Sequence, residues 1–89
     1  MRNIDFKSTD RGFSRVDFDD RYDARCSLQK SSLATENAIW LGQNEPTVHP
    51  ATGEIVGCRM HLTQEDVRWL LPILTHFAET GELPAMEAA

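Results

Sequence analysis

With 89 residues, 40 % of them hydrophobic and 26 % charged, the chain has material for one modest core; size excludes a second core and composition excludes wholesale disorder. Its formal net charge of −5 is lodged in one half, because residues 1–35 set six acids against seven bases while residues 36–89 set eight acids against Arg59 and Arg68 alone. That second half lacks the clustered Lys and Arg that grip a phosphate backbone; its charge suits a basic partner, or solubility alone.

In residues 1–11, Ile4 and Phe6 alternate with polar neighbours over a stretch that reads as an N-terminal arm or an edge strand. Across 12–18 the residues Ser14, Val16 and Phe18 share one parity, and Asp19, Asp20 and Arg21 supply a polar turn. The next strand, 22–29, is expected to point Tyr22, Ala24, Cys26 and Leu28 inward, since these alternate with Asp23, Arg25, Ser27 and Gln29. A small, polar loop over 30–37 leads to a short strand, 38–42, carrying Ile39, Trp40 and Leu41.

Between 47 and 56, Pro50 and Gly53 favour a hairpin, one by fixing φ and the other by accepting a left-handed backbone. Beyond it Val56, Cys58, Met60 and Leu62 alternate with polar residues and predict a further strand with an apolar inner face. Thr63 is the expected helix cap, Glu65 and Asp66 suit the positive end of the helix dipole, and Gly81 is the expected stop. Pro72 predicts a kink, because it removes the hydrogen bond to the Arg68 carbonyl. Residues 82–89 are expected to fray. The fold class that follows is α+β, a single domain over 1–89 with an antiparallel sheet of about four strands and one C-terminal helix packed on it.

On a helical wheel Val67, Leu70, Leu71, Leu74, Phe77 and Ala78 fill one face, and Trp69 and Ile73 widen it toward His76. This arc is broader than one sheet face needs, so its flank requires cover from the N-terminal arm, the 30–37 loop, a second copy of the chain or another protein. Trp69, Ile73 and Trp40 are the expected interface anchors, and Glu65, Asp66 and Glu79 the expected charged contacts.

Little in the chain points to chemistry. Cys58 and His61 have a ligand-like spacing, with His76 or Cys26 to complete a set, but in a strand they point to opposite faces and no second close pair exists. Asp17, Asp19, Asp20 and Asp23 lack the glycine of a calcium loop and are interleaved with Arg15, Arg21 and Arg25, which favours local ion pairs. Ser27, Ser31 and Ser32 have neither a nucleophile elbow nor an evident base, and the five glycines form no phosphate cradle. No catalytic residue, metal or cofactor is therefore expected. Cys26 and Cys58 are expected to be buried thiols, because the opening MRNIDFKSTD is no secretion signal and no apolar run is long enough to span a bilayer. The expected location is the cytoplasm, away from membranes.

The stretches CSLQKSSLATENAIWLG (26–42) and CRMHLTQEDVRWLLPILTHFAETGEL (58–83) resemble a group of small proteins encoded by bacteriophages and prophages, over about half of the chain. The resemblance implies a phage or bacterial origin and action in the cytoplasm of a bacterial host; it carries over no catalytic residue. Small acidic phage proteins of this profile, anti-CRISPR and other anti-defence inhibitors among them, work by occupying a host protein's surface, an analogy of class alone. The leading expectation is a non-enzymatic binder of a host protein or complex. The alternatives are a homodimeric structural or regulatory module, and a nucleic-acid-binding accessory protein using Arg11, Arg15, Arg21, Arg25 and Lys30 with Tyr22 or a tryptophan.

Overall fold

Four strands assemble into one antiparallel meander in the computed structural model, which describes residues 1–10 and 12–84. Strands β1 (Arg2–Ser8), β2 (Ser14–Asp19), β3 (Arg25–Lys30) and β4 (Ile39–Gln43) lie in the order β1-β2-β3-β4. A separate two-stranded hairpin follows, β5 (Thr47–Val48) with β6 (Ile55–Gly57), and then helix α1 (Gln64–Thr80). The protein is α+β, as its periodicity predicts.

Register decides which side chains meet the helix. Phe6 pairs Val16, Val16 pairs Leu28, Phe18 pairs Cys26 and Leu28 pairs Leu41, so one face of the meander is apolar from edge to edge. Val16, Leu28 and Leu70 form the buried centre, with Ile4, Phe6, Ile39, Leu62, Trp69, Ile73, Leu74 and Leu83 packed around it. A fully buried aliphatic or aromatic side chain of this kind contributes roughly 1.5–3 kcal/mol, so the contacts of Leu70 with Val16 and Leu28 are what fasten the helix to the sheet.

The N-terminal segment is an edge strand. Arg2 pairs Asp19 and Asp5 pairs Asp17, so Asn3 and Ile4 together oppose Phe18. This bulge needs a left-handed residue, and Asn3 supplies it at φ 51. It delivers Ile4 and Phe6 to the core, where the Phe6 and Trp69 rings lie 6.3 Å apart. The cover that the broad helical arc requires comes partly from this strand.

Three strand expectations need correction. Tyr22 lies outside β3 and is 74 % exposed, because the β2–β3 turn runs through Asp23 in a left-handed conformation and pairing resumes only at Arg25. The strand expected to run from Val56 to Leu62 ends at Gly57 and belongs to the hairpin, so Val56 and Cys58 are exposed. Cys58 is accordingly not a buried thiol, whereas Cys26 is, and burial together with the charges of Asp20 and Asp19 pushes its pKa up to about 11. The sheet still has four strands, with β1 in the place expected for the segment after the hairpin.

The helix follows its end signals. The Thr63 hydroxyl accepts from the Asp66 N–H at 3.1 Å and the Asp66 carboxylate accepts from the Thr63 N–H at 2.9 Å, a reciprocal capping box. Gly81, at φ 75, closes the other end by donating its N–H to the Phe77 carbonyl. The helix runs unbroken through Pro72, which lies on its exposed side. The tail is not free at its start, as Glu82 meets Lys30 at 2.7 Å and Leu83 packs on the core. The remainder of the expected frayed tail, 85–89, lies outside the described residues. Among the described residues no helix is long and apolar enough to cross a membrane.

Candidate protein-interaction surface

The face of the sheet away from the helix is a lattice of paired charges. Asp17 receives Lys7 at 2.6 Å and Arg15 at 2.9 Å. Burial raises its pKa, but the hydrogen bonds from Lys7 and Arg15 outweigh that and hold the carboxyl below its ordinary value, while Asp17 in turn raises the pKa of Lys7. Asp19 accepts from Asn3 and from Arg25, Asn3 having the larger part in lowering its pKa. Arg2 reaches Asp23 at 2.7 Å. The cations considered for a phosphate backbone are thus largely engaged: Arg15, Arg25 and Lys30 each hold a carboxylate. Arg11 lies outside the described residues.

Asp20 is a structural joint. Its Oδ1 accepts the N–H groups of Tyr22 and Ala24, and its Oδ2 accepts the N–H of His61, 41 residues away. The buried Gln43 Oε1 has no hydrogen-bond partner among the described residues. Burial raises the Asp20 pKa, and these donors, His61 first, more than reverse it. The same clamp sets the Tyr22 and His61 rings 4.7 Å apart. The four clustered aspartates therefore face separate partners, and among the described residues no group of three His, Cys, Asp or Glu could hold a metal ion.

A depression of about 690 Å³ is lined by Lys7, Thr9, Asp10, Phe13, Arg15 and Gln29 among others. Two of its cations are already tied to Asp17. Ser32 lines it with Asp10 but makes no hydrogen bond to it, Ser27 donates to Asn44, and the Ser31 hydroxyl accepts from the Leu33 N–H. None of these has the nucleophile–base geometry of covalent catalysis.

What the second half offers is apolar surface. The β5–β6 hairpin is a two-stranded sheet separate from the meander, and it exposes Val48, Ile55 and Val56, with Ile55 at 70 %. Its tip is closed by the His49 N–H to the Glu54 carbonyl and by Gly53 at φ 72. On the helix, Val67 and Leu71 are exposed, and a groove of about 540 Å³ runs past Leu71, Pro72, His76 and Glu79. On β4, Trp40 is 68 % exposed and Leu41 36 %.

The expected site residues divide between core and surface. Trp69 and Ile73 are partly buried against the core, Trp69 between Phe6 and Phe18. Asp66 is buried in the capping box and meets the Met1 amino group at 3.6 Å. Its pKa is raised by burial and lowered further than that by Thr63 and the amino terminus. Trp40, Glu65 and Glu79 are exposed, Trp40 on β4 and the two glutamates at opposite ends of α1. Val67, Leu71, Ile55 and Val56 went unrecognised as surface residues. The wheel alone places Val67 and Leu71 on the apolar arc without fixing the rotation at which the helix is seated. The hairpin residues carried a signal in Pro50 and Gly53, which cut them off from the sheet.

Comparison of the chain with protein-family models, curated proteins and solved structures returns no match.

Proposed function

We propose that this protein is a non-catalytic binding module that occupies the surface of a bacterial host protein or complex, as phage-encoded anti-defence inhibitors do. The observation that carries the reading is the hairpin, which pairs apart from the main sheet and exposes Val48, Ile55 and Val56. Apolar side chains this exposed gain little burial within the monomer, and a contiguous apolar feature with a polar rim is the usual mark of a protein contact. Glu45 and Glu54 flank it, and Glu65 and Glu79 are exposed on the helix. A partner with a basic rim around an apolar cleft complements this surface, and its charge would speed encounter more than it would tighten the complex.

Affinity capture from a bacterial host lysate tests the reading when wild type and two variants are run side by side. One stoichiometric basic partner is expected for wild type, lost with Ile55→Lys and weakened by Glu54→Lys more strongly at low salt than at high salt. Equal recovery with all three chains, or no partner at all, contradicts it.

A further inference from the structure

Strand β4 ends the sheet with no strand beyond it among the described residues, while its Ile39 packs inward on the core. The phase of its ladder follows from two flanking hydrogen bonds, the Ser31 N–H to the Ala38 carbonyl and the Asn44 N–H to the Arg25 carbonyl. Hydrogen-bonded pairs alternate with non-hydrogen-bonded ones in an antiparallel ladder, so Trp40 and Gly42 turn their backbone groups toward β3. Ile39, Leu41 and Gln43 turn theirs outward. Among the described residues none of these outward groups has a backbone partner.

Natural edge strands carry devices that prevent pairing with another chain: charge, proline, a bulge or a covering element. Residues 39–43 read IWLGQ, with neither charge nor proline, and they pair β3 in an unbroken register with no bulge. We infer that β4 pairs antiparallel with β4 of a second copy about a two-fold axis at Leu41, joining two four-stranded sheets into one.

That register is the one in which all three outward residues find partners. Leu41 faces its own symmetry mate and Ile39 faces Gln43 of the other copy, each pair exchanging both N–H···O bonds. The intervening positions then place Trp40 of one copy directly opposite Gly42 of the other, a non-hydrogen-bonded pair in which side chains come closest. Gly42 has open space where a Cβ would stand, and in the dimer the indole of Trp40 lies across it, as aromatic residues do over edge glycines. On the opposite face the two copies of Leu41, partly exposed in the monomer, meet each other. The strand carries no charge to be repelled by its copy, and the contact is isologous, so it closes at two chains. The inference stands apart from the host-protein reading, because it leaves the hairpin free.

Sedimentation velocity over a wide concentration range, with thermal melts as a folding control, tests it. Wild type is expected to move from the monomer mass of 10.1 kDa to twice that mass as concentration rises. Gly42→Val fills open space in the monomer and so keeps its melting temperature, but it obstructs Trp40 of the partner. Trp40→Lys puts a charge on the edge. Each variant should weaken dimerisation by roughly a hundredfold or more, since both copies lose a central aromatic contact. A wild type that stays at the monomer mass throughout overturns the inference, and so does a Gly42→Val dimer as tight as wild type. Neither result touches capture of a host partner through Ile55, so the two readings fail separately.

Discussion

The two edges of the sheet are built on opposite principles. At β1 the chain places Arg2, Asp5 and Lys7 outside, bends the strand at Asn3 and caps the bulged carbonyl of Asn3 with Arg25 at 2.6 Å. It sends Ile4 and Phe6 inward to the core. At β4 the strand is uncharged and straight in register, and its tryptophan stands in solvent. A guarded edge belongs to the monomer's own stability, and an unguarded one is available to another chain. Residues of similar apolar character thus have different consequences at the two ends of a single sheet.

Truncation separates the edges most sharply. Phe6→Ala removes the ring that covers Trp69 and should lower unfolding free energy by about 3 kcal/mol in urea titration. A change within about 0.5 kcal/mol would show that β1 is not part of the core. Next in size is the joint at Asp20. Asp20→Asn replaces one accepting oxygen with an NH2 donor that faces the Tyr22 and Ala24 N–H groups or that of His61, and about 2 kcal/mol should be lost by the same assay. Because that carboxylate ties the β2–β3 turn to the segment before the helix, loss of the Tyr22–His61 ring contact in NMR shifts should accompany it.

Acid should act through the same region. Asp17, Asp19, Asp20 and Asp66 all have pKa values depressed from 3.8 by the folded structure. Groups depressed on folding contribute stability that is complete above the unfolded pKa and lost as pH falls through the folded one. Stability should therefore hold at neutral pH and decline from about pH 4 downward. Lys7 works in the other direction, as its raised pKa adds stability that disappears only as pH climbs above 10.5. A melting temperature unchanged between neutral pH and pH 2 would deny these carboxylates their part. At the other edge the smallest effect is expected: Trp40→Ala should leave monomer unfolding within about 0.5 kcal/mol of wild type.

Much of this fold was legible before coordinates, for particular reasons. Val16, Phe18, Cys26 and Leu28 alternate because their face is buried, and Thr63 and Gly81 mark helix ends through backbone chemistry that needs no tertiary context. The role of β1 was not legible, since two apolar residues in seven give no sustained period and its pairing depends on a bulge. The segment after the hairpin misled because alternation reports only a repeat of two, and Val56 and Cys58 keep that repeat in the open. Trp69 and Ile73 were readable as apolar and not as core, because a wheel has no preferred zero. The edge at β4 could not be found from the sequence either, as an outward backbone group appears only once the ladder's phase is known.

Amide hydrogen exchange at a series of protein concentrations tests the contrast between the edges most directly. The amides of Ile39, Leu41 and Gln43 should slow as concentration rises through the association range. Those of Phe6 and Ser8, which the Thr9–Phe13 hydrogen bond and the β1–β2 register turn outward at the guarded edge, should stay at one rate. Exchange at Leu41 that is equally fast at every concentration, or slowing shared by Phe6 and Ser8, would contradict the account.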